Sequence, residues 1–99
     1  MTLSRTSSAI VIGVDAHIVE VEAHLADGLV GMSITGLADT AVREARDRVR
    51  SAIVCTGFPW PQRRITVGLS PAWLPKYGSG LDLAMALAVL AADGRVPIE

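Results

Sequence analysis

Three arginines, Arg43, Arg46 and Arg50, recur at the three- and four-residue intervals that align side chains along one stripe of a helix. Guanidinium groups repeated this way suit phosphates or carboxylates, because each offers a planar fork of donors and stays charged. Arg48 falls elsewhere on the same helix. Asp39–Arg43 and Glu44–Arg48 have i,i+4 spacing in the favourable order, and Asp47 lies between Arg43 and Arg50. Four arginines against three acids read most simply as a solvated, self-compensated face. The neighbouring segment adds a second signal. Phe58–Lys76 carries Arg63, Arg64 and Lys76 with no acid, and the indoles of Trp60 and Trp73 lie among them. Cations beside indoles fit a phosphate backbone or an acidic partner surface. The candidate DNA or partner surface is therefore Arg43, Arg46, Arg50, Arg63, Arg64 and Lys76.

Other chemistries find less support. The one lysine, Lys76, follows Pro75, so no G-x-x-x-x-G-K-[ST] loop exists to cradle a nucleotide. Gly78-Ser79-Gly80 begins like a dinucleotide fingerprint, but its third glycine position is Leu83; a turn before a helix explains it better. His17 and His24 are seven residues apart, which on one strand means opposite faces and a separation of roughly 23 Å. Cys55 has no second thiol. Ser79 would sit at a helix N-terminus with Lys76 three residues away, yet Ser79–Asp82 matches the S-x-x-D capping box, which accounts for the serine without chemistry. No catalytic, cofactor or metal residue is assigned, and the chain is read as not an enzyme.

These residues need elements to hold them. Met1–Ser8 is polar and reads as a loose start. Ala9–Val14 is β-branched and reads as a buried strand; His17–Leu25 alternates, with Val19, Val21, Ala23 and Leu25 on one face. Val30–Thr35 is a third strand, and short turns suggest an antiparallel meander. After Gly36 the period changes from 2 to 3.6: positions 38, 42, 45, 49, 52 and 53 of Ala38–Cys55 fall on one helical face. Gly57 and the Phe58-Pro59-Trp60-Pro61 run stop that helix. Arg64–Leu69 is a fourth strand, and a second helix is expected from about Gly80 to Ala92. That helix is apolar nearly all round, so it must be covered on most sides. With Arg95–Glu99 reading as an approach to another element, the polypeptide is expected to be part of a larger domain, truncated at its C-terminus.

Composition bounds the answer. Ninety-nine residues make one small domain, and 51% apolar content excludes a disordered tail. A formal net charge of −1 excludes a global basic field, so any anion binding must be local. The longest apolar run, Leu83–Ala92, is ten residues, half of what a bilayer span needs. With a lone cysteine and no leader pattern, the expectation is a cytoplasmic protein without a membrane partner.

Several blocks resemble one family. Gly36-Leu37-Ala38-Asp39-Thr40-Ala41-Val42, continuing through Glu44-Ala45-Arg46-Asp47-Arg48-Val49-Arg50 to Ala52-Ile53, is similar to the "GLP-x-T-x-V-x-EARDRVR-x-AI" stretch of magnesium-chelatase-like AAA+ ATPases, the ComM/YifB family. Ile65-Thr66-Val67, Ser70-Pro71-Ala72 and Leu74-Pro75-Lys76 resemble its "ITVNLAPADLPK", and Leu81-Asp82-Leu83 its "YDLPIA". Gly13-Val14, Val19–Val21 and Asp27-Gly28-Leu29 fit its opening strands. Ala38, Gly68, Trp73 and Ala84 stand where the family has Pro, Asn, Asp and Pro, as variation within it.

The resemblance implies an N-terminal Lon-protease-like, ChlI-type domain covering residues 1–99. The implied fold is the two-layer α/β (α+β) ribosomal protein S5 domain 2-like one, in the order β-β-β-α-β-α. It also implies a longer protein with an AAA+ ATPase module, absent from this chain, that binds ATP and Mg2+, forms a hexameric ring and, in ComM members, drives DNA branch migration in natural transformation. Against Lon-type peptidases the serine position falls on Gly80, so a Ser–Lys dyad is not carried over. The function expected is a non-catalytic domain that engages DNA or a partner for the ring. The alternatives are a divergent Ser–Lys peptidase-like domain using Ser79, or an inactive, self-associating fragment.

Overall fold

The computed structural model describes residues 2–12, 15–37, 39–71 and 81–95. Its elements are β1 (Thr2–Ile12), β2 (Asp15–Ala26), β3 (Gly31–Thr35), α1 (Asp39–Cys55), β4 (Arg64–Ser70) and α2 (Asp82–Ala92). This is a mixed α+β architecture, four strands and two helices among the described residues, in the expected element order.

Two expectations are corrected at the sheet. Of the expected loose start Met1–Ser8, Met1 lies outside the described residues and residues 2–8 are strand: β1 begins at Thr2 and pairs antiparallel with β2 from Thr2↔Leu25 to Ile12↔Asp15. Its Ser/Thr-rich half lacks hydrophobicity of its own and is ordered by the partner strand. The hydroxyl of buried Ser4 donates to the Ala88 carbonyl of α2, so a polar residue of this segment ties strand to helix. Nor is there a three-strand meander. The strand order is β1-β2-β4-β3, with β4 antiparallel to β2 and parallel to β3. A parallel pair requires a crossover, which α1 supplies between β3 and β4. The fourth strand thus inserts between two that are consecutive in sequence, and β3 becomes an edge among the described strands.

The core lies on one face of this sheet. Rows such as Ala23–Val67–Ile34 and Leu25–Ile65–Met32 run across adjacent strands, all buried. Ala45, Val49 and Ile53 of α1 and Met85, Ala88 and Val89 of α2 close over them. Period 3.6 on α1 places residues 45, 49 and 53 inward as expected, but Ala52 is exposed, since it lies at the margin of the stripe. Both helices end in the same way. Gly57 (φ +93°) follows α1, with Gly57 N–H donating to Val54 O and Phe58 N–H to Ile53 O; Gly94 repeats the pattern after α2. The start of α2 differs from expectation: the N-cap is Leu81, with no side-chain cap, and Ser79 lies outside the described residues. Asp82 is therefore the first helical residue rather than the third, and its carboxylate turns to Arg48.

Candidate functional site

α1 packs beside β3, and Arg43, Arg46 and Arg50 lie alongside the first residues of that strand. Together they border a groove of about 360 Å³. One wall is Arg43, Arg46, Asp47 and Arg50 of α1; the other is Val30, Gly31 and Met32; Trp60 and Gln62 close the end. Each cation is held differently. Arg46 Nη1 donates to the Met32 carbonyl of β3 at 3.2 Å. Arg50 lies over the Trp60 indole, its guanidinium carbon 5.8 Å from the ring centroid. Trp60 is half-buried against the core, and Gln62 Nε2 donates to the Trp60 carbonyl at 3.3 Å, steadying the loop that carries it. Arg43 and Arg50 are exposed, with donors facing solvent. Asp47 supplies the one negative charge among the lining residues.

The six residues singled out from sequence do not form one surface. Arg43, Arg46 and Arg50 are assembled in the groove; Arg63 and Arg64 are not among its lining residues. Arg63 Nη2 sits 3.8 Å from Asp27 Oδ1, and the Arg64 side chain lies over the turn at Gly28. Lys76 and Trp73 fall outside the described residues. Trp60, which sequence groups with Arg63, Arg64 and Lys76, belongs instead with the helix arginines. The cue was present in the Phe58-Pro59-Trp60-Pro61 run after a helix end, where the chain must fold back across the helix it has just left.

Several other charged groups pair elsewhere. Arg48 leaves the stripe, as its helical position requires. Its Nε donates to Asp82 Oδ2 at 2.6 Å, and this bond raises the guanidinium further above its ordinary value. The i,i+4 partner Glu44 acts on Arg48 only as a more distant charge. On the opposite face of the sheet, Glu22 accepts from His24 Nε2 at 2.8 Å and from Arg5 Nε at 2.7 Å. These two bonds, His24 first, hold the Glu22 carboxyl below the usual carboxylate range. Among the described residues no three His, Cys, Asp or Glu side chains group to hold a metal ion. No helix among them is long and apolar enough to cross a membrane.

The family model described as subunit ChlI of Mg-chelatase matches residues 21–99. An uncharacterised protein of Mycobacterium tuberculosis is 50% identical over 99 residues, covering 100% of this chain and 20% of its own length. YifB of Escherichia coli is 48% identical over 96 residues, 97% of this chain and 19% of its own length. The competence protein ComM of Haemophilus influenzae is 44% identical over 96 residues, with the same coverage of 97% and 19%. The chain thus spans about a fifth of the length of the curated relatives it matches. With the family model over most of its residues and similarity to these relatives over nearly all of them, the chain belongs to the magnesium-chelatase-like ComM/YifB family.

Proposed function

We propose that this chain forms the non-catalytic N-terminal domain of a ComM/YifB-type, magnesium-chelatase-like AAA+ ATPase, and that it engages DNA on behalf of the ATPase ring. The observation that carries the reading is the groove between α1 and β3. Two of its three arginines are oriented by the protein itself, Arg46 by the Met32 carbonyl and Arg50 by Trp60. Cations held in place this way lose less freedom on meeting an anion than freely rotating ones do. The element order, with four strands and two helices, also suits the Lon-protease-like, ribosomal protein S5 domain 2-like fold expected for such a domain.

Fluorescence anisotropy with labelled single-stranded and forked DNA tests the proposal. The Arg43→Ala/Arg46→Ala/Arg50→Ala triple variant is expected to weaken binding about ten-fold or more at low salt. Arg63→Ala/Arg64→Ala, at positions not among the described residues lining the groove, is expected to weaken binding clearly less than the triple variant does. Equal binding by wild type and the triple variant would sink the reading.

A second reading, self-association of the chain, is favoured by one feature of α2. Leu83 and Leu87, four residues apart on one helical face, are 71% and 41% exposed while the rest of the helix is largely buried. The two readings use different faces and do not compete.

A further inference from the structure

Resting on the DNA-engagement reading, we infer that the α1–β3 groove binds nucleic acid through its phosphate backbone alone, without stacking or reading bases. Single-strand binders that hold bases do so on aromatic faces. Among the described residues this groove has one aromatic, Trp60, and its ring is already committed: it packs against the core, and Arg50 lies over it at 5.8 Å. A base could stack there only by displacing the guanidinium. The other described lining residues carry no aromatic ring, and Gly31 and Met32 belong to β3.

What the groove does offer is charge in a row. Seven residues separate Arg43 from Arg50, about 10 Å along the helix axis, long enough to meet more than one phosphate of a strand laid beside it. Arg46 stands between them with one nitrogen anchored and the rest of its fork free to point outward. Asp47 opposes any anion in that position. A groove built on charge alone is therefore weakened by its own acid, and removing that charge should tighten binding. An acidic peptide would meet the same arginines. Strand addition along β3 would, however, need the Met32 carbonyl that Arg46 already occupies, so the phosphate backbone is the better fit.

The test uses the 99-residue chain and three labelled ligands: a thymidine homopolymer, an abasic strand of equal length, and polyglutamate. The abasic and thymidine strands are expected to bind within about two-fold of each other, with log K falling against log salt at a slope near −2 for three contacts. Asp47→Asn is expected to tighten both about three-fold, and Arg43→Ala/Arg46→Ala to weaken both. A gain from Asp47→Asn cannot come from unfolding, which protects the outcome from a damaged variant. Binding of the thymidine strand but not the abasic one would overturn backbone-only recognition and leave DNA engagement standing. Failure of both strands would overturn DNA engagement itself. Polyglutamate binding as tight as either strand would overturn the assignment to nucleic acid in favour of an acidic protein segment.

Discussion

At the scale of single residues, two glycines separate conformational strain from steric exclusion. Gly36 and Gly57 share nearly the same backbone, φ +92° and +93°, a region that side-chain-bearing residues rarely adopt. Around Gly57 a Cβ would meet nothing within 4 Å, whereas at Gly36 it would be driven into the Leu69 carbonyl oxygen of β4 and against the Leu69 Cβ at 3.0 Å. Gly57→Ala should therefore cost about 1–2 kcal/mol, the backbone penalty alone. Gly36→Ala should cost clearly more, because the end of β3 must part from β4 to admit the methyl group. Urea unfolding of the two variants checks the order. Equal losses would mean that β3 and β4 do not approach as closely as the geometry requires.

At the scale of elements, charged side chains join neighbours that backbone bonds or apolar packing have already brought together. Arg48 and Asp82 join α1 to α2, and Arg5 joins β1 to β2 through Glu22. The cross-strand pair has a definite pH signature. Glu22 is held below the usual carboxylate range by His24 and then Arg5, so its folded pKa is lower than its unfolded one. Such a carboxylate adds stability above its unfolded pKa, about 4.3, and that contribution is lost as pH falls through the folded value. Glu22→Gln is accordingly expected to melt below wild type at neutral pH, by a modest amount because the group is well solvated. The two melting curves should converge on acidification below about pH 4. A difference that persists or grows in acid would mean that Glu22 supports the hairpin by packing rather than by charge.

At the scale of the whole molecule, α2 carries an exposed apolar pair. α2 buries Met85, Ala88 and Val89 in the core and turns Leu83 and Leu87 outward. The proposed consequence is concentration-dependent self-association of this chain. Sedimentation velocity over a concentration series should show it, and Leu83→Glu/Leu87→Glu should restore a monomer without altering the far-UV spectrum. A wild-type monomer at all concentrations would rule it out. The groove proposed to bind DNA lies between α1 and β3, so the same variant should retain DNA binding; losing both together would place Leu83 and Leu87 in the binding surface.

Much of this was determined by the sequence itself, wherever the physics is local. Period 2 in His17–Leu25 and period 3.6 in Ala38–Cys55 name a strand and a helix with their buried faces, because side-chain direction follows from backbone geometry alone. Gly57 marks a helix end for the same local reason. The arginine stripe was legible too, since residues three and four apart must align once the helix forms. What the sequence could not determine was neighbourhood. Short turns made β1, β2 and β3 look like a meander, but the hydrophobic rows are completed only when β4, more than thirty positions after β2, enters between β2 and β3. That choice depends on burying the inner faces of β2 and β4 under both helices at once, a property of the assembled core and of no single segment. Ser4 is buried, Asp82 is taken by Arg48, and Trp60 is moved from Arg63 and Arg64 to Arg50, each by that same packing. The cations were written in the chain; which of them share a groove was decided by the fold.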